Sequence, residues 1–237
     1  MLSQLPPRTS VLVVGAGPTG LLLAAELQRR GVPTLLIDAR AQALHWDRAT
    51  VIHAQSLELF EALGLEEPFL AAGCRQRRIL IHADGRRLGE VDLAGNGSRY
   101  GFNLGLSEEV TESILTGHLE RHGGTVHRSC RLLRLQPHGG GACATIAHGE
   151  REQTVEARWV VGCDGLRSTT RELSGIGFEG HAIARSWAVF DAAVEGRTDT
   201  HEANAAYLDT SPLILTALPG QRWRVYMRPA TEQSDLV

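Results

Sequence analysis

The stretch "VVGAGPTGLLLAAEL", Val13 to Leu27, constrains this 237-residue chain more than any other. Gly15, Gly17 and Gly20 stand in G-x-G-x-x-G spacing. Before them runs the apolar, β-branched "SVLVV"; after them Leu22, Leu23, Ala25 and Leu27 carry helical periodicity up to an Arg-Arg-Gly stop. A second apolar run, "PTLLIDA", follows. Strand, glycine turn, helix and strand within about thirty residues make a βαβ unit with a right-handed crossover.

In that setting the glycines acquire separate tasks. The first permits the tight turn, the second lets backbone approach a pyrophosphate, and the third lets the helix pack close to the strand. The helix N-terminus adds partial positive charge. Asp38 closes the second strand. A carboxylate there accepts hydrogen bonds from both ribose hydroxyls and repels a 2′-phosphate, so the turn predicts NAD or FAD rather than NADP.

Composition narrows the chemistry further. A net charge of -3 gives no electrostatic reason to expect nucleic acid or an anionic membrane. All 24 basic side chains of the Lys+Arg count are Arg, which excludes Schiff-base lysines and a P-loop lysine. Cys74, Cys130, Cys143 and Cys163 show no CxxC spacing and read as reduced thiols. The opening "MLSQLPPRTS" lacks a signal-peptide pattern and no apolar run is long enough to span a bilayer, so a cytoplasmic location is expected.

Downstream, "AQSLELFEAL" reads as a helix ending at Gly64, and "RILIHADGRRLGEVDL" as a hairpin turning at Asp84-Gly85. "SEEVTESILTGHLERHG" returns to helical periodicity. Short strands follow: "TVHRSCRLLRLQP", "CATIAHG" and "QTVEARWVVGCDG", the last with a buried run "WVVGC" before Asp164-Gly165. After Gly180 the pattern is β again. The expected architecture is α/β: a Rossmann-like FAD-binding domain over 1–77 and 105–180, interrupted and followed by a mostly β substrate domain over 78–104 and 181–237 that is incomplete at its C-terminus.

Three stretches in order carry a resemblance. "VVGAGPTGLLLAAELQRRGVPTLLIDAR", "WDRATVIHAQSLELFEALGL" and "VVGCDGLRSTTRELSGIGFEG" together resemble the FAD-dependent aromatic hydroxylases, the single-component flavoprotein monooxygenases of the p-hydroxybenzoate hydroxylase type. The resemblance implies FAD contacts at Gly15, Ala16, Gly17, Pro18, Thr19 and Gly20, at Asp38, Ala39 and Arg40, at Arg48 toward the pyrophosphate, at Glu108 and Leu132, and at Asp164 and Gly165, with Ser168 and Arg171 completing the last motif. It implies NAD(P)H, either NADH or NADPH, as reductant and oxygen transfer to a small aromatic or polyketide-like substrate through a flavin C4a-hydroperoxide. The flavin carries that chemistry, so no catalytic side chain is nominated.

Two departures stand out. Gln55 replaces a usual arginine, and Ser107 or Glu108 replaces a usual glutamine. The family's Gly-Asp-Ala-x-His motif is missing, which suggests a fragment or a complementing C-terminal chain; the competing reading is a non-catalytic FAD- or nucleotide-binding subunit. A homo-oligomer is compatible with the sequence. His118 and His122 have zinc-pair spacing but no third ligand, and read as a solvated polar face; no metal site is expected. Tyr100, Trp187, Tyr207, Trp223 and Tyr226 read as core of the β region or as lining of an aromatic-substrate pocket.

Overall fold

The computed structural model describes residues 4–43, 49–181, 186–195 and 201–229. In chain order its elements are β1 (Arg8–Val14), α1 (Pro18–Arg29), β2 (Thr34–Ile37), β3 (Val51–Ile52), α2 (Ala54–Ala62), α3 (Glu66–Ala72) and β4 (Cys74–Gln76). Next come β5 (Arg78–Ala83), β6 (Arg86–Asp92), β7 (Asn103–Gly105), α4 (Glu108–Arg121), β8 (Val126–His127), β9 (Cys130–His138) and β10 (Gly141–His148). The chain continues through β11 (Arg151–Gly162), α5 (Thr169–Leu173), β12 (Ala188–Ala193), β13 (Ala203–Tyr207), β14 (Leu213–Leu218) and β15 (Arg222–Met227).

Two compact units result, 1–45 with 111–180 and 46–110 with 181–237. The first contains a six-stranded sheet in the order β8-β2-β1-β11-β10-β9. The strands β8, β2, β1 and β11 run parallel, whereas β10 and β9 are antiparallel additions. β11 is long enough to serve both halves: its start pairs with β10 and its end with β1. Leu12, Val14, Leu35, Ile37, Leu132, Ile146 and Val155 fill the core on one face. On the other, α1 packs against β1 and β2. Its ending is chemical: Gly31 takes the left-handed conformation (φ 71°), and Val32 N–H returns to Leu27 O at 2.9 Å.

The second unit holds a six-stranded sheet, β12-β15-β14-β13-β5-β6, and a three-stranded one, β3-β7-β4. Asp84 and Gly85 both have positive φ, 51° and 68°, as a two-residue hairpin of the expected kind requires. β3 and β4 pair with β7, which draws residues 46–77 and 105–110 into this unit rather than into the first, a division different from the sequence-based boundaries. Gly105 on β7 is obligatory for packing, since a Cβ there would stand 2.2 Å from Ala217 O and 2.4 Å from Gln76 Nε2.

Three local expectations change. The run "WVVGC" is not buried throughout: Trp159 is 62% exposed although its register partner Val11 is 7% exposed, because α1 covers β1 and β2 and leaves β11 bare on that face among the described residues. His118 is not on a solvated face: it is buried, with Nε2 3.1 Å from Glu26 Oε1, and joins α4 to α1. The helix α3 is additional. Of the five aromatics, Tyr100 and Trp223 are buried, Tyr207 stacks on His82, and Tyr226 Oη lies 3.1 Å from Thr50 Oγ1.

Candidate dinucleotide site

The turn between β1 and α1 is shaped by what lies behind it. Gly15 adopts φ 101°, and a Cβ built on it would stand 2.5 Å from the carbonyl oxygen of Cys163 at the end of β11. Gly20 is tighter still, because its Cβ would meet Gly15 O at 1.9 Å and Cys163 Cβ at 3.2 Å. Gly17 differs: the nearest atom to its Cβ position is Glu112 Oε1 at 3.9 Å, so that side of the turn is open. Gly17 is also the N-cap of α1, without a side-chain cap, and Pro18 fills the first helical position, where an N–H is dispensable. Ala16, Gly17, Pro18, Thr19 and Gly20 thus form the entry to a twelve-residue helix whose leading amides lack intrahelical partners. Such an end attracts anions.

Asp38 follows β2 directly and points at this turn. It is 5% exposed. Its Oδ2 accepts the Ala16 N–H at 2.7 Å; its Oδ1 accepts the Arg40 N–H at 2.8 Å and Arg40 Nε at 3.2 Å. Burial alone would raise this carboxyl, yet the hydrogen bonds from Arg40 and Ala16 prevail and hold it below the ordinary carboxylate range. Asp38 is therefore anionic at neutral pH and fixed to the same backbone that would receive a pyrophosphate. Ala39 lies between it and Arg40.

Two further groups converge there. The buried Glu112 of α4 brings Oε1 to 4.0 Å from Arg40 Nη2, and Arg128, immediately after β8, brings Nη1 to 3.8 Å from Asp38 Oδ1. Neither was singled out in the sequence. Glu112 had a signal, since it shares spacing i, i+3, i+7 with buried Leu115 and Leu119 and so is a carboxylate in a core position. Arg128 had one only in retrospect, at the carboxyl end of a parallel strand.

Asp164 plays a different part from Asp38. Its Oδ1 accepts the Ser168 hydroxyl at 2.5 Å, and its Oδ2 accepts the Thr170 N–H at 2.9 Å and hydroxyl at 3.1 Å. Ser168 Oγ in turn caps α5 by accepting the Arg171 N–H at 3.0 Å, and Arg171 Nη2 donates to Leu166 O. Burial opposes this carboxylate, but the bonds from Ser168 and Thr170 outweigh it and lower its proton affinity. The motif around Asp164 and Gly165 (φ 76°) is thus an internally bonded loop following the strand that backs Gly15.

The other expected positions divide. Leu132 is 3% exposed and its side chain belongs to the core of the first unit. Glu108 opens α4 in the second unit. Arg48 lies outside the described residues. Among the described residues, no group of three His, Cys, Asp or Glu side chains comes together as a metal site, and no helix is long and apolar enough to cross a membrane.

The residues present fit an adenosine diphosphate. Gly15 and Gly20 are the only residue type their surroundings allow, Gly17 leaves the backbone approachable, and an anionic carboxylate anchors the turn.

Residues 8–234 match the family model of the FAD binding domain. The chain is 34% identical over 173 residues, 73% of its length, to the 12-dehydrotetracycline 5-monooxygenase/anhydrotetracycline 6-monooxygenase of Streptomyces rimosus, covering 34% of that protein. It is 31% identical over 228 residues, 93% of its length, to the 6-methylpretetramide 4-monooxygenase of Streptomyces rimosus, covering 40% of it. The crystal structure of p-nitrophenol 4-monooxygenase from Pseudomonas putida DLL-E4 superposes with TM-score 0.88 at 18% identity, over 97% of this chain and 60% of that one, and shows the same fold. The chain spans about a third to two fifths of the length of these curated relatives. With the family model matched along nearly its whole length and an α/β core built around the glycine turn, the chain belongs to the FAD-binding-domain family.

Proposed function

We propose that this chain holds FAD for an NAD(P)H-dependent monooxygenase acting on an aromatic or polyketide-like substrate. The observation that carries the reading is the turn at Gly15–Gly20, closed behind by Cys163 and Gly15 backbone and open at Gly17, with Asp38 bonded to its Ala16 amide. In this reading the amides opening α1 bind the FAD pyrophosphate, Asp38 accepts the ribose hydroxyls, and Arg40 adds a cationic donor. When bound, the flavin supplies electron transfer from nicotinamide and activation of dioxygen for attack on the substrate ring. In this reading the turn holds the resident FAD, and NAD(P)H is a transient reductant.

The second unit is assigned to the substrate. Arg224 there is buried and neutralised by Asp191, so this guanidinium is committed within the sheet and is a poor anchor for a substrate carboxylate. The tetracycline-type and phenolic names of the relatives support an aromatic or polyketide-like ring system as the substrate.

Titrating the purified chain with FAD while recording the visible spectrum, then following NADH and NADPH oxidation with and without phenolic or polycyclic aromatic compounds, tests the proposal. Bound flavin with oxidation stimulated by an aromatic compound supports it. Failure to take up FAD at all removes its foundation.

A further inference from the structure

We propose that Arg128 is a binding determinant for the adenosine half of the dinucleotide, acting with Asp38 as a paired donor and acceptor for a ribose hydroxyl; this rests on the FAD reading above. The backbone fixes its place. In the parallel pair of β2 and β8, Ile37 is in register with His127, and Asp38 N–H donates to His127 O at 2.9 Å, so Asp38 and Arg128 leave the two strand ends side by side. Ser129 then takes a left-handed conformation (φ 55°), and two bonds tie the turn to the Asp38 segment: Ser129 N–H to Arg40 O at 3.0 Å and Cys130 N–H to Asp38 O at 2.9 Å. The Arg128 main chain therefore cannot drift from the Asp38 segment without breaking this pairing.

Its guanidinium is nonetheless unfinished. Nη1 is buried and has no hydrogen-bond acceptor; at 3.8 Å from Asp38 Oδ1 it is beyond hydrogen-bond reach and is an ion-pair neighbour only. A buried donor left unsatisfied is costly in the ligand-free protein and becomes favourable once an acceptor arrives. A sugar hydroxyl meets both needs, giving its proton to a carboxylate and accepting one from a guanidinium. The pyrophosphate, by contrast, is served by the turn amides and does not need Arg128.

The test compares the wild-type chain with Arg128→Leu and Arg128→Gln, measuring FAD and ADP affinity by titration calorimetry, displacement of FAD by inorganic pyrophosphate, and urea stability without ligand. Loss of a charge-assisted bond predicts FAD and ADP binding weakened about tenfold or more in Arg128→Leu. The pyrophosphate affinity should be unchanged, and the ligand-free stability equal or higher. Unchanged ADP affinity overturns the inference and leaves the FAD reading standing. So does a fall in ligand-free stability accompanied by equal weakening of pyrophosphate, which would make Arg128 structural. Wild-type protein that binds neither FAD nor ADP overturns the underlying reading as well.

Discussion

Replacing Gly20 and Gly17 separately by alanine should split stability from ligand binding. At Gly20 a methyl group would arrive 1.9 Å from Gly15 O, and the obstacle is main chain, so no rotamer change relieves it. Carbon and oxygen need roughly 3.2 Å, so α1 must retreat from the turn by about 1 Å, into a core where overpacking costs about 1–3 kcal/mol. The helix-propensity gain of alanine over glycine, about 1 kcal/mol at most, does not cancel this. Gly17 has φ −75°, which any residue adopts, and its nearest neighbour is 3.9 Å away. Alanine there sacrifices only the N-cap preference, a cost of about 0.5–1 kcal/mol, yet its methyl group projects into the space through which a pyrophosphate reaches the amides. Urea denaturation followed by circular dichroism, paired with FAD titration, should therefore show Gly20→Ala clearly destabilised and Gly17→Ala nearly as stable as wild type but defective in FAD binding. If Gly17→Ala binds FAD as wild type does, the open side of the turn is not where the diphosphate lies.

Asn204→Ala should destabilise the second unit by about 2–4 kcal/mol in the same denaturation assay, because it strands the buried Ala217 N–H (2.9 Å to Asn204 Oδ1) and Gln76 Oε1, which accepts Asn204 Nδ2 at 3.0 Å. Asp164→Ala should uncap the approach to α5 by removing acceptors for Ser168 and Thr170, with faster amide exchange at Thr170 and Arg171 while the β1–β2 amides stay protected. Burial pushes Glu26 upward, but hydrogen bonds from Arg29, His118 and Arg30 bring it down from 4.5 to about 2. Its contribution is present above pH 4.5 and lost as pH falls toward 2, so Glu26→Gln should flatten the acid limb of the stability profile in that window.

The βαβ start was legible because its signals are local: β-branched strands, a glycine turn, a proline at N1 and a glycine stop all lie within one short segment. The hairpin at Asp84-Gly85 was legible for the same reason. What escaped was set by pairing across long separations. The strands β3 and β4 are two and three residues long and exist only because β7 pairs with both, so nothing in "VI" or "CRQ" announces them or the unit to which they belong. His118 reads as polar surface until Glu26, on another helix, is placed opposite it. Trp159 reads as core because an apolar run in a parallel sheet is usually covered on both faces, and among the described residues α1 covers only the neighbouring strands.

The same contrast changes what the glycine motif means. From sequence, Gly15 and Gly20 are explained by the ligand, as residues that let a diphosphate approach. In the structure they are demanded first by the protein: Gly15 by the carbonyl of Cys163 and Gly20 by the carbonyl of Gly15, both present before any dinucleotide binds. Cys163 reaches that position because β11 pairs with β1 through Val14 and Gly162, with Cys163 N–H then bonded to Val14 O at 2.7 Å. Asp164, one residue later, is consumed by Ser168 and Thr170, which holds the chain in place as it leaves the strand. The second motif therefore supports the first by supplying its back wall, while among the described residues Gly17, Asp38, Arg40 and Arg128 are placed to answer to a ligand. Substitutions in the wall should act through stability and those at the four facing positions through affinity.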